Sequence, residues 1–422
     1  MIIKKISEKE YEEYISHYDN ILFFNSVEWA KFKSKTNWNM EIIGLFDHEK
    51  LKVASILLSQ KLPFLKRKMY YCPRGFVLDY SNLDLIKEFT IALKKYLKDK
   101  EAIFLKINPY VEYQKRDKDG NIIQANTNKK LIDYLKKIGY KHYGYYTEFN
   151  KKKDLEPRWL SVLNLENKDI DELLHDMRKT TRWMINKSTK NNITIKEATY
   201  DDLPKYKELM EHTAERRNFI DRPLSYYQTM YNTLSKTGMF KLLLANIDLV
   251  KLRLQLKDHI SKLQSRIGNV KDNPKKVNQI AEFTSQIESL NNQLKDIDKQ
   301  IKEHGEKPLV AAGLYLSYGD QVVYLFGGSY KEFMNYAAQY LMQFEMIKYA
   351  KQKNYKKLNF YGIDGDFRRD ALHYGLFDFK RGFNSDVVEL IGEFDLVVNK
   401  FYYAIYNVLF TIYKLIKKVR KK

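Results

Sequence analysis

The stretch NIDLVKLRLQLKDHISKLQSRIGNVKDNPKKVNQIAEFTSQIESLNNQLKDIDKQIKEH (residues 246–304) carries apolar side chains at Leu249, Leu252, Leu256, Leu263, Ile267 and Val270. After Asp272-Asn273-Pro274 they resume at Ile280, Phe283, Ile287, Leu290, Leu294, Ile297 and Ile301. Steps of three and four of this kind make a heptad seam. Pro274 cannot continue a helix, so the stretch reads as two amphipathic helices folded back antiparallel, a coiled-coil hairpin. Each arm holds roughly 25–30 residues, which at ~1.5 Å per residue gives a rod on the order of 40 Å long. A rod of that length on a globular body implies a large partner.

Outward from the rod, both flanks read as mixed α/β. Residues 42–46, 53–61, 68–72 and 102–107 are strand-like, separated by helical stretches at 83–97 and 128–138. After an apolar run at 160–165 come helical stretches around 170–191 and 203–213 and a strand at 241–245. Beyond the rod, strands at 309–317, 321–327 and 357–361 bracket a helix at 337–353. The same order of strands, helix and strand occurs twice, so the chain reads as two copies of one α/β (α+β) fold. The implied divisions are 1–149 for the first unit, 150–245 with 308–394 for the second, 246–307 for the arm, and 395–422 for a basic C-terminal helix. In that helix Phe401, Ile405, Leu409, Ile412, Leu415 and Val419 share one side. Such a face either caps a core or lies on an anionic membrane surface, lysines toward the headgroups.

A chain of 422 residues is long enough for two or three domains. Its 74 basic and 53 acidic residues leave a net charge of +21, a surplus that favours polyanionic partners. The surplus is not in the arm, where twelve basic residues face nine acidic ones from 246 to 307. It concentrates in two acid-free clusters: 177–190, with Arg178, Lys179, Arg182, Lys187 and Lys190, and 414–422, with six basic residues. Cys72 is the only cysteine and the eight histidines are scattered, so neither a disulfide framework nor a metal site is expected. Residues 1–14 do not read as a signal peptide and no apolar run reaches the ~18 residues of a membrane span. A cytoplasmic protein is the expectation.

Several devices are missing. There is no Arg/Gln-x-x-Gly-x-Gly loop to cradle the pyrophosphate of coenzyme A, no P-loop, no G-x-S-x-G elbow and no dinucleotide fingerprint. Unusual residues gather instead after the arm. Phe326-Gly327-Gly328-Ser329 ends a strand, with paired glycines that permit close backbone approach to a ligand or a bulged turn. Phe360-Tyr361-Gly362-Ile363-Asp364-Gly365 and Gly375-Leu376-Phe377-Asp378-Phe379-Lys380-Arg381-Gly382-Phe383 follow.

Together with Ser26-Val27-Glu28-Trp29-Ala30-Lys31-Phe32-Lys33, Pro73-Arg74-Gly75-Phe76, Lys106-Ile107-Asn108-Pro109 and Arg222-Pro223-Leu224-Ser225-Tyr226-Tyr227, these motifs resemble the Fem (FemABX-type) aminoacyltransferases. The resemblance spans nearly the whole chain. It implies two acetyltransferase-like (GNAT-like) domains without the coenzyme A loop and a helical hairpin inserted in the second. It also implies the reaction: an amino acid passes from its tRNA ester to an amine on the stem peptide, or growing bridge, of a lipid-linked peptidoglycan precursor. No cofactor is implied, since aminoacyl-tRNA is the donor substrate. The partners implied are that tRNA, the lipid-linked precursor and the anionic inner face of the cell membrane, with a homo-oligomer or a related family member as a further partner.

The resemblance places Lys380 near the acyl-transfer centre, with Phe379 as wall or core. Lys33, Arg222 and Tyr226 match positions that hold the precursor's phosphates, a task suited to bidentate Arg and point-charge Lys. Asn108 stands where relatives often have Asp, so it orients substrate rather than acting as a base; Asp364 and Asp366 are the alternative proton acceptors. Phe326 replaces a Tyr of some relatives, and Gly328 lines the same strand end. Two other readings stay open: an acyltransferase of this fold with another activated donor, and a non-catalytic nucleic-acid or membrane-binding protein.

Overall fold

The structure, a computed structural model, describes residues 1–62, 65–148, 155–270 and 274–419. The hairpin tip at 271–273, the expected division at 149/150 and the last basic residues 420–422 lie outside the described residues.

The first part of the chain supplies strands β1 (Ile2–Lys5), β2 (Asn39–Asp47), β3 (Lys50–Lys61), β4 (Lys68–Cys72), β5 (Ala102–Ile107), β6 (Glu112–Arg116), β7 (Ile122–Gln124) and β8 (Tyr140–His142). The second supplies β9 (Trp159–Asn164), β10 (Ile193–Glu197), β11 (Phe240–Ile247), β12 (Leu309–Tyr318), β13 (Gln321–Ser329), β14 (Lys357–Ile363), β15 (Asp386–Leu390) and β16 (Phe394–Val397). Helices α1 (Glu8–Ile15), α2 (Val27–Ser34), α3 (Leu83–Asp99) and α4 (Lys129–Lys137) accompany the first set. The second set has α5 (Ile170–Asp176), α6 (Lys179–Lys190), α7 (Leu203–Arg217), α8 (Leu224–Leu234), α9 (Leu249–Val270), α10 (Val277–His304), α11 (Ala338–Gln352), α12 (Tyr374–Arg381) and α13 (Lys400–Val419).

Two mixed sheets result, with orders β1-β2-β3-β4-β5-β16-β8 and β10-β11-β12-β13-β14-β9-β15-β6-β7. Each contains an antiparallel run that ends in a parallel pair, β4–β5 or β13–β14. A helix must cross over between parallel neighbours; α3 does so in the first sheet and α11 in the second. The repeated grammar of the sequence is therefore a repeated topology. β5 is buried at every position, as expected of a strand covered on both faces, and its residues are apolar except for Lys106.

The division of the chain is less simple than contiguous blocks. β6 and β7 leave the first part of the chain to extend the second sheet, while β16 returns from the second part to sit between β5 and β8. The stretch from 395 is thus strand before it is helix. Buried charge decides both exchanges. Lys106, the penultimate residue of β5, lies opposite Asp395 of β16; its Nζ is 3.0 Å from Glu393 and 3.3 Å from Asp395. Burial disfavours the ammonium, yet Glu393 and Asp395 hold its pKa above the usual lysine value. Tyr143 and Tyr403 donate to the other Asp395 oxygen at 2.5 and 2.8 Å. In the second sheet, Glu389 of β15 accepts from Arg158, from Gln114 at 2.7 Å and from Arg116 at 2.5 Å, the last two on β6.

The arm is an antiparallel helix pair, α9 against α10, cross-linked by Arg253–Asp298 at 3.3 Å. Ile260, absent from the seam read off the sequence, is buried in it with Leu263. Leu249, Leu252 and Ile297 at the root belong to the core of the second unit, whereas Leu254 and Val277 are exposed. Of the two placements expected for the C-terminal helix, the one in which its apolar stripe caps the core does not hold. Tyr403, with Tyr402 and Tyr406 beside it, packs on Phe104, while Phe401, Val408, Leu409 and Ile412 are exposed. The side chains of Leu415 and Val419 lie outside the described residues.

Two outcomes follow for stability. Lys106→Ala leaves two carboxylates buried without their cation, and the expected cost is about 3–5 kcal/mol, read as a lower urea midpoint. Excising 258–293 behind a short Gly-Ser loop is expected to preserve the thermal transition. Cutting back to 252–297 also removes Leu252 and Ile297, at about 2–4 kcal/mol for each buried side chain; equal melting of the two deletions would contradict the root's place in the core.

Candidate active site

The parallel strands β13 and β14 pair only from Gln321 with Lys357 to Val323 with Asn359. Past that point β14 bulges between Asn359 and Tyr361, and Tyr361 takes a left-handed φ of 66° while the Asn359 side chain accepts its N–H. The strands part, leaving Tyr324, Leu325 and Phe326 partly exposed in mid-sheet. The matching pair β4–β5 stays joined from Lys68 with Ala102 to Cys72 with Ile107. The opening therefore belongs to the second sheet.

A cationic pocket stands beside it where the two units meet. Ser26 caps α2 by accepting the Trp29 N–H, which sets Trp29, Phe32 and Lys33 toward α8. The Phe32 ring meets Tyr226 of α8 edge-on at 5.0 Å. Lys33 Nζ lies 5.8 Å from the Trp29 ring and 5.9 Å from those of Trp38 and Tyr226, and Arg222 also lies over Tyr226, at 5.4 Å. Burial lowers the Lys33 pKa to about 8; Glu156 opposes the shift and Arg222 adds to it. Arg74, buried behind this group, lies over Phe24 and Tyr361 at 5.5 and 5.8 Å and donates to the Pro157 carbonyl at 3.1 Å. Tyr361 donates a hydrogen bond to Glu156. Burial raises the Glu156 pKa against the pull of Arg74, Tyr361, Lys33 and Arg222.

Next to Tyr361 on the same strand, the Gly362 carbonyl accepts 2.7 Å from Lys380 Nζ. Lys380 is 4% exposed on the last turn of α12, and burial alone brings its pKa down to about 7. Among the described residues no ion pair is recorded for it. An ammonium so placed is ready for an incoming anion, and its neutral form is accessible near pH 7. Arg178 fixes the helix from outside, pairing with Asp378 at 3.0 Å and taking the Gly382 carbonyl with its N–H at 3.0 Å.

The residues singled out from the sequence divide into two groups. Lys33, Arg222, Tyr226 and Lys380 gather around the opening, joined through Tyr361 and Gly362. Phe379 packs edge-on against Tyr340 and Phe383 at 4.9 and 5.4 Å, a wall behind Lys380, and Phe326 faces Tyr227 at 6.1 Å. The rest serve the frame. Asn108 is buried; its Oδ1 accepts the Arg74 N–H at 2.7 Å and its Nδ2 donates to Tyr71 at 3.1 Å. It holds Arg74 at φ 59° rather than offering its amide to a ligand. A Cβ on Gly328 would come within 2.4 Å of the Thr213 hydroxyl and 2.8 Å of Leu209, and one on Gly327 would strike the Tyr324 ring. Those glycines admit α7 and a neighbouring aromatic to the sheet. Hydrogen bonds from Arg368 pull Asp366 down to about 2, which unfits it as a base, and Asp364 faces His373 at 3.9 Å. The sequence reading missed Glu156 and took Tyr361 and Arg74 only as parts of motifs. Their positions, far apart in the chain, carry no local signal of convergence.

The FemAB family profile matches residues 6–411. The chain belongs to the FemAB family. Aminoacyltransferase FemA of Staphylococcus epidermidis is 30% identical over 386 residues, 90% of each chain. Aminoacyltransferase FemA of Staphylococcus aureus is 28% identical over 415 residues, covering 97% of this chain and 98% of the relative. The crystal structure of FemX aligns with a TM-score of 0.74 at 27% identity, over 96% of this chain and 99% of that one. This FemAB member is accordingly an aminoacyltransferase with the FemX fold.

The Lys33 value gives the pocket a pH signature. If a phosphate binds beside Lys33, it will hold the ammonium and raise the pKa from about 8, so that binding takes up a proton and weakens as pH climbs through about 8. Calorimetric titration of an organic diphosphate in two buffers of different ionisation enthalpy is expected to show that uptake, and Lys33→Met to abolish it.

Proposed function

We propose that the enzyme transfers an amino acid from aminoacyl-tRNA to the stem-peptide amine, or growing bridge, of a lipid-linked peptidoglycan precursor. One observation supports this reading above the others: consecutive residues of one strand, Tyr361 and Gly362, face the cationic pocket and Lys380 respectively. Phosphates of the acceptor sit between Lys33 and Arg222 on the Tyr226 ring. The acceptor amine then lies beside the opening where Lys380 waits.

The amine nitrogen forms a bond to the ester carbonyl carbon, and the carbon–oxygen bond to the ribose breaks. The amine gives up a proton and the ribose oxygen takes one. Going from ester to amide is downhill, so the enzyme's task is positioning and stabilisation of charge in the tetrahedral intermediate. Lys380 supplies that charge. Burial holds its pKa near 7 in the free enzyme, and the anionic donor restores the ammonium as it binds. The ester is already activated, so no resident cofactor enters the scheme. Phe401, Val408, Leu409 and Ile412, exposed on α13, dip into the inner face of the cell membrane where the acceptor is anchored. No described helix is long and apolar enough to cross a membrane, in keeping with a peripheral contact.

Charged tRNA and a lysine-containing lipid precursor are expected to give a product heavier by one or more amino acids, and ribonuclease to stop its formation. Lys380→Ala is expected to lower kcat by about 10²–10³-fold, with Lys380→Arg recovering part of the loss. Transfer that survives ribonuclease would point to another activated donor; full activity of Lys380→Ala would remove the lysine from the reaction.

A further inference from the structure

The chain has four tryptophans. Trp29 and Trp159 are buried and Trp38 is partly so, but Trp183 on α6 is 56% exposed. It stands in a stripe of α6 made by Lys179, Trp183, Lys187 and Lys190, spaced by four, four and three. Lys187 Nζ lies 5.2 Å from the indole centroid, and Lys179 and Lys190 are exposed. The opposite side of the helix holds buried Thr181, Ile185 and Ser188 and packs on α11. The stripe is therefore turned outward, over about 16 Å of helix, in a segment free of acidic residues from 177 to 190. Apolar packing gives no reason for an indole there.

Its placement is tied to the site. Arg178, one residue before α6, holds Asp378 and the Gly382 carbonyl, which bracket Lys380 on α12. A Cβ on Gly382 would come within 2.4 Å of the Thr181 hydroxyl, so the start of α6 and the end of α12 are in direct contact. The stripe thus begins beside the helix that carries Lys380 and leads away from it.

We infer that the Lys179–Trp183–Lys187–Lys190 stripe docks the single-stranded 3′ segment of the RNA donor, the indole stacking on a base and the lysines meeting phosphates. An aromatic face flanked by cations is how single strands are held without reading their sequence. A duplex would need cations alone, and a protein partner would be expected to meet acid as well as base. The inference rests on the RNA donor proposed above and adds where that donor lies.

Trp183 also supplies the assay. A short single-stranded oligoribonucleotide ending in CCA is titrated into the full-length protein while tryptophan emission is followed. Quenching is expected in the parent and is expected to be lost in Trp183→Phe. By filter binding, Trp183→Ala should weaken the oligonucleotide roughly 10-fold or more. Lys179→Gln with Lys187→Gln should lower the salt dependence of log Kd by about 1.4, the slope of two single-strand phosphate contacts. In transfer assays Trp183→Ala should raise KM for charged tRNA and leave KM for the acceptor in place. Unchanged RNA affinity and salt slope in these variants would overturn the stripe, as would loss of binding to phosphatidylglycerol vesicles in its stead. Ribonuclease-insensitive transfer is a separate result: it overturns the donor reading, whatever the oligonucleotide does.

Discussion

Lys106 is an ammonium near the end of a fully buried strand, and the positions of the two sheets depend on how it is neutralised. Asp395 and Glu393 reach it only if β16, near the end of the chain, inserts beside β5. Glu389 imposes the reciprocal demand in the other sheet, where Arg158 comes from the residue before β9 and Arg116 from β6. A buried charge left alone is far more costly than a lost contact, so such clusters specify which strand goes where more than they add to stability. One exchange lies in each sheet, β16 between β5 and β8 in the first and β6 beside β15 in the second, and a hinge between the units would have to break one of them.

That rigidity matters because the pocket is assembled from both units. Lys33 and Arg74 come from the first, Arg222, Tyr226 and Tyr361 from the second, and Glu156 from the segment between. Phe32 against Tyr226 sets the spacing. Lys33 and Lys380 are held by the same physics: each is desolvated without a full counter-charge, so each has a lowered pKa. Cations in that condition are stabilised by an anion that enters and poorly stabilised without one. The net charge of +21 draws polyanions toward the molecule over longer range, and the buried lysines act on whatever arrives.

Much of this was legible in the sequence, for reasons of period. The arm announced itself because a seam of threes and fours survives reading residue by residue, and the duplicated order of strands and helices survives for the same reason. The motifs around Lys33, Arg222 and Lys380 led to residues that do converge. The glycine pair led elsewhere. A glycine needed for a ligand and one needed for a helix look alike in a sequence, and Thr213 and Tyr324, which fill the space, lie outside the motif. Asn108 is likewise engaged within the protein, its amide bonded to Arg74 and Tyr71. On α13, tyrosines one turn away from the apolar stripe took the core, because a Tyr with a buried partner for its hydroxyl packs as well as Leu; Tyr403 has Asp395.

Periodicity and composition by themselves determined the two α/β units, the helical arm with its proline turn and the basic surplus, while the lysine to watch came from the resemblance of its motif to the family. These depend on neighbours within a few residues or on sums over the chain. Tertiary structure alone decided the exchange of strands between sheets, the opening between β13 and β14, and the meeting of residues 33, 74, 156, 222 and 361. It also set the lowered pKa values of Lys33 and Lys380. Each of these depends on desolvation and on which charge faces which across hundreds of residues, and no local pattern encodes that distance.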